Sequence, residues 1–67
     1  METLSPLDKF PAPWGKEIDL KRVDYESGLK MLRITIRERS RFTILDLDAQ
    51  TALKLAGHLT AWAGQAL

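Results

Sequence analysis

Residues 16–37 read KEIDLKRVDYESGLKMLRITIR, and the phasing of this stretch decides the fold. Ile18 and Leu20 alternate with Glu17, Asp19 and Lys21. Leu32, Ile34 and Ile36 alternate with Arg33, Thr35 and Arg37. Period two marks strands with one side turned to a core, because successive side chains of an extended backbone point to opposite faces. Between the two runs stands Glu26-Ser27-Gly28. A three-residue hairpin loop places its last position in the left-handed region, which glycine adopts at little cost.

This loop sets Tyr25 opposite Leu29 and so fixes a register. Leu20 then faces Ile34, Ile18 faces Ile36, Glu17 meets Arg37, and Asp24 meets Lys30. Apolar meets apolar and acid meets base, the pairing that stabilises an antiparallel ladder. A one-residue slip would set Leu20 against Arg33 and undo it.

Downstream, Phe42-Thr43-Ile44-Leu45-Asp46-Leu47 reads as a third strand over 42–47. The connection around Arg39-Ser40-Arg41 holds no glycine or asparagine, which disfavours a tight two-residue turn. A loop of odd length, three or five residues, would put Phe42 and Ile44 on the face of Ile34 and Ile36. The other phasing puts Leu45 and Leu47 there instead. Asp48 then caps a helix expected to run to about residue 65, since a carboxylate at that place accepts from an early backbone N–H. Thr51, Lys54, His58, Ala61 and Gln65 fall on its wet stripe. Ala52, Leu53, Ala56, Leu59, Thr60, Ala63 and Leu67 lie opposite, with Leu55 and Trp62 at the margin. Gly57 and Gly64 flank the apolar side, where tight packing on the chain's own sheet and a helix crossing in a dimer are both open readings.

Upstream, Pro6, Pro11 and Pro13 punctuate residues 1–15 and push their predecessors toward extended backbone. This stretch is expected to be a proline-containing N-terminal arm. Leu4, Leu7, Phe10 and Trp14 give it too much apolar surface for a solvated tail, so it covers either its own core or a neighbouring subunit. The expected architecture is therefore α+β: a three-stranded antiparallel β-meander followed by one C-terminal α-helix (βββα), over a single domain at 16–67, with the arm at 1–15.

The chain has 67 residues, a net charge of +1, no cysteine and one histidine. Disulfides, thiol chemistry and a multi-histidine metal site within one chain are excluded, and so small a charge argues for no charged partner by itself. No cofactor or metal site is expected. No apolar run is long enough to span a bilayer, and the first residues lack a basic-then-apolar signal pattern, so no membrane association and a cytoplasmic location are expected. A chain of this size hides only about 60% of its unfolded surface. Without disulfide or metal, oligomerisation or a larger protein partner is the expected supplement.

One helix dries one face of a sheet. In the preferred phasing the opposite face collects Val23, Tyr25, Leu29, Met31, Leu45 and Leu47, and Trp62 adds to the surplus. Such a patch marks a partner surface, with a second copy of the chain as the leading occupant. The other chemical asymmetry is basic: Lys21, Arg33, Arg37, Arg39 and Arg41 are a candidate patch for phosphates, although Glu17 and Glu38 lie close by and strand surfaces carry arginine routinely.

A catalytic constellation is not assembled. Ser5, Ser27 and Ser40 fall in arm or turn positions, and His58 sits on the wet stripe. Asp46 and Asp48, two apart, are better explained as turn and cap residues than as an acid–base pair. Trp14-Gly15-Lys16 lacks the rest of a phosphate loop. The expected function is a non-enzymatic interaction or accessory module that self-associates. The alternative is a nucleic-acid-binding module on a basic sheet face.

Taken together, Pro11-Ala12-Pro13-Trp14-Gly15, Tyr25-Glu26-Ser27-Gly28, the run from Arg37 to Asp48, and Trp62-Ala63 resemble a group of small bacterial proteins of unknown function. The resemblance spans most of residues 11–63. It implies a small stand-alone bacterial protein and brings no activity, ligand or site residues.

Overall fold

The computed structural model describes residues 1–67. Four strands, not three, form one antiparallel sheet in sequence order: β1 (Glu2–Ala12), β2 (Lys16–Tyr25), β3 (Lys30–Glu38) and β4 (Arg41–Leu47). One helix, α1 (Ala49–Ala66), follows.

The β2–β3 hairpin has the expected register. Ile18 lies opposite Ile36, Leu20 opposite Ile34, Glu17 opposite Arg37 and Asp24 opposite Lys30. Its loop closes through the Tyr25 N–H donating to the Leu29 carbonyl at 3.0 Å and the Gly28 N–H donating to the Tyr25 carbonyl at 2.9 Å. Gly28 takes φ 92, the left-handed conformation the loop demands.

Residues expected as an arm are instead a fourth strand, so the βββα expectation is corrected to ββββα. β1 pairs with β2 along nearly its whole length, from Glu2 opposite Tyr25 to Ala12 opposite Lys16. Pro6 and Pro11 are tolerated because β1 is an outer strand, where a missing N–H need not break the ladder. The register shifts between Pro6 and Asp8, so Leu7 forms a bulge. That extra residue sends Leu4, opposite Val23, and Phe10, opposite Ile18, to different faces, although their even spacing alone would put them on one.

The second correction concerns β4. Glu38 lies directly opposite Arg41, leaving only Arg39 and Ser40 in the turn. Arg39 adopts φ 58, which supplies the positive φ that a two-residue hairpin needs at its first central position. The even loop length places Leu45 opposite Ile34 and Leu47 opposite Leu32. Phe42 and Ile44 go to the other face, contrary to the preferred phasing.

The sheet therefore has one apolar face, bearing Phe10, Ile18, Leu20, Leu32, Ile34, Ile36, Leu45 and Leu47. Its other face is mixed, with Glu17, Asp19, Lys21, Arg33 and Arg37 at its centre.

Asp48 caps α1 as expected: extended at φ −78 and ψ 172, it accepts from the Thr51 N–H at 2.9 Å. Hydrogen bonding by Thr51 holds the Asp48 carboxyl below the usual carboxylate range. Beyond its start the helix leaves the sheet. Leu32, Leu47, Ala49 and Ala52 share a small concavity at the β3–α1 junction, but no residue of α1 is buried. Val23, fully buried, and Leu47, 7% exposed, are the entire buried core.

The outcome is a flat, open chain measuring 40 × 30 × 16 Å. Its radius of gyration is 13.5 Å, against about 11 Å for a compact chain of this length.

Candidate interaction surfaces

The apolar sheet face is the first surface. Ile18, Leu20, Ile34 and Ile36 are half-buried, shielded by neighbours in the sheet plane, and Leu32, also half-buried, meets only the first turn of α1. Leu45 and Phe10, on the flanking strands, are exposed. The second surface is the apolar side of α1, where Leu53 is 74% exposed, Leu59 58% and Trp62 69%. The two surfaces belong to one molecule, yet neither covers the other. Gly57 and Gly64 face open space, so the tight packing open in the sequence does not occur on the chain's own sheet.

The expected partner patch is divided. Val23 is inaccessible, set between Leu4 and Met31 in the register, and Leu47 is buried on the apolar face. Leu45 also lies on that face. Tyr25 and Met31 remain together on the mixed face, half-buried, with Leu29 exposed at the loop. Trp62 stands on the free helix. The phasing of the β3–β4 turn accounts for the split, because an even loop inverts every β4 side chain.

The basic residues are also redistributed. Arg33 donates to both carboxylate oxygens of Asp46, at 2.9 and 3.0 Å, directly across the β3–β4 ladder. This paired geometry raises the Arg33 pKa, chiefly through the hydrogen bond to Asp46, and lowers that of Asp46 through the same bond. Arg37 approaches Glu17 at 3.4 Å, and Lys21 approaches Asp19 at 3.7 Å. Lys21, Arg33 and Arg37 thus sit in a field of alternating sign rather than a positive stripe.

Arg39 and Arg41 lie apart from them, at the end of the sheet where the β1–β2 and β3–β4 turns meet. Trp14, Gly15, Glu38, Arg39, Ser40 and Arg41 surround an open concavity of about 510 Å³ there. Trp14 is 89% exposed at φ 62, and the Lys16 ammonium stands 5.9 Å from its ring.

Asp46 and Asp48 have separate partners, Arg33 and Thr51, and His58 is exposed on α1. No three of the histidine, aspartate and glutamate side chains come together as metal ligands. No helix is long and apolar enough to cross a membrane.

A family match covers this whole arrangement, from the first strand through the helix. The chain belongs to a family of unknown function (DUF6967), matched over residues 1–65. No curated protein and no solved structure matches the chain. The match includes β1, so the proline-containing strand and the free helix are both part of the family's unit.

Proposed function

We propose that this chain is a small non-enzymatic interaction module that works as a self-associated assembly. One observation carries the reading. The protomer exposes 5709 Å², whereas a folded monomer of 7.6 kDa exposes about 4,300 Å², an excess of about 1,400 Å². Exposed apolar side chains contribute to it on both sheet faces and on the helix, among them Phe10, Leu45, Leu53, Leu59 and Trp62, with Phe42 and Ile44 on the mixed face, and monomeric proteins rarely leave so much apolar surface uncovered.

The non-enzymatic part rests on the separation of the polar groups: each candidate acid already serves a structural partner, and His58 stands alone. The bacterial and cytoplasmic setting rests on the sequence alone. The nucleic-acid alternative loses its support on the sheet face, where Lys21, Arg33 and Arg37 each stand beside a carboxylate.

Sedimentation equilibrium at micromolar concentration tests the proposal. A mass of about twice 7.6 kDa is expected. A folded chain of single mass at every concentration overturns it.

A further inference from the structure

We infer that a second copy of this chain supplies the missing layer reciprocally, α1 of each protomer lying across the apolar sheet face of the other. This inference rests on the self-association proposed above and names its geometry.

Area is the first argument. An excess of about 1,400 Å² on each protomer amounts to about 2,800 Å² for a pair, within the roughly 2,000–5,000 Å² that obligate homodimers bury. Shape is the second. The sheet face offers large branched side chains, Ile18, Leu20, Ile34 and Ile36, while the helix centres its apolar side on Ala52, Ala56 and Ala63 with Leu55 and Leu59 beside them. Small residues let a helix axis approach a surface of large ones, so the two interdigitate at interior density. Length also fits. An 18-residue helix is about 27 Å long and crosses four strands spaced about 4.8 Å apart.

Charge is the third argument. Within α1 only Lys54 and His58 can carry charge, and both fall on the side away from Ala52, Leu59 and Ala63. On the apolar sheet face the charged residues Asp8, Lys16, Asp24, Lys30, Glu38 and Arg41 stand toward the strand ends and the outer strand, and Arg22, opposite Leu32 on β2, is exposed beside the isoleucine cluster. A helix docked over Ile18, Leu20, Ile34 and Ile36 meets no ionised group at its centre, and the long Arg22 side chain reaches past its rim to water.

Other pairings satisfy less. Joining two β4 strands edge to edge leaves both helices bare. Stacking the two apolar faces directly also leaves them bare.

The cysteine-free sequence allows a direct test. A Thr60→Cys chain carrying a nitroxide is mixed with an unmodified ¹⁵N-labelled chain, so that only contact between copies broadens the labelled amides. Broadening centred on Ile18, Leu20, Ile34 and Ile36 is expected. Broadening confined to residues 53–65 or 41–47 overturns the geometry, while self-association stands. No broadening, in a sample that sediments as single chains, removes both.

A variant pair keeps the result independent of the label. Leu59→Glu is expected to raise the dimer dissociation constant roughly 100-fold or more, with the β-sheet circular dichroism retained. Lys54→Glu, on the far side of the helix, is expected to change it by less than about twofold. Equal effects of the two variants overturn the inference.

Discussion

The β2–β3 hairpin and α1 each present an apolar side, yet the two regions stand in different conditions. In the hairpin each apolar side chain has a cross-strand neighbour from the same chain, Ile18 with Ile36 and Leu20 with Ile34, and each acid beside it has a base. In α1 the backbone is satisfied and the N-terminus capped, but Leu53, Leu59 and Trp62 stand largely exposed. Local hydrogen bonding completes both elements. Tertiary burial completes neither, and the helix has it only at its first turn, where Ala49 and Ala52 meet Leu32 and Leu47. In proteins most helical stability comes from packing an amphipathic face, and the chain's own sheet supplies α1 with little of it.

Mutations in the two regions sharpen this contrast. Ile34→Ala is expected to have the largest effect. With a second copy over the apolar face it should cost about 3 kcal/mol, the price of truncating a dry core residue, and the loss should grow with protein concentration. A loss of about 1 kcal/mol in urea unfolding, independent of concentration, would show the face to be wet.

Val23→Ala comes next. Val23 is buried within one protomer, so a loss of about 2 kcal/mol is expected at every concentration. It serves as the internal control for Ile34.

Gly57→Ala distinguishes the sides of the helix. Nothing lies within 4 Å of a Cβ at this position, and the site falls outside the centre of the apolar side. The substitution is expected to stabilise the protein by up to about 1 kcal/mol through helix propensity. Destabilisation in thermal melts would mean that another backbone passes close to this flank.

The smallest effect concerns acid. Asp46 and Asp48 both have carboxyls held below their ordinary range, by Arg33 and Thr51 respectively. A depressed folded-state pKa contributes stability that is fully present above the unfolded value of about 3.9 and is lost as pH falls through the lower folded value. Stability at neutral pH should therefore hold and then decline below about pH 4. In the double variant Asp46→Asn, Asp48→Asn that part of the decline should disappear, which equilibrium unfolding across pH 2–5 would reveal.

Much of the sheet was legible in the residues because two independent patterns agreed. Apolar alternation and the cross-strand charge pairs both chose one register for β2 and β3, and Gly28 fixed the loop. β4 was legible as a strand but not in phase. Its turn contains no glycine, and the inversion depends on Arg39 adopting a backbone conformation that arginine seldom takes.

β1 was hidden twice. Pro6 and Pro11 suppress strand propensity, and the bulge at Leu7 breaks the period by which a strand is recognised. The candidate surface inherited these errors, which is why Val23 and Leu47 proved internal and Leu45 changed face. The helix and its cap were readable from Asp48 and the amphipathic spacing. Amphipathicity reports that one side avoids water, not which molecule dries it.

The proline-bearing strand has a consequence for how far assembly can go. A ribbon that accepts further strands along both borders polymerises without limit, the route to a fibril. Here Pro6, Pro11 and the register break close one border, while β4 contains no proline and leaves the other open. Growth along the open border would stop when two such borders meet, so this edge pattern allows a finite particle rather than an endless one.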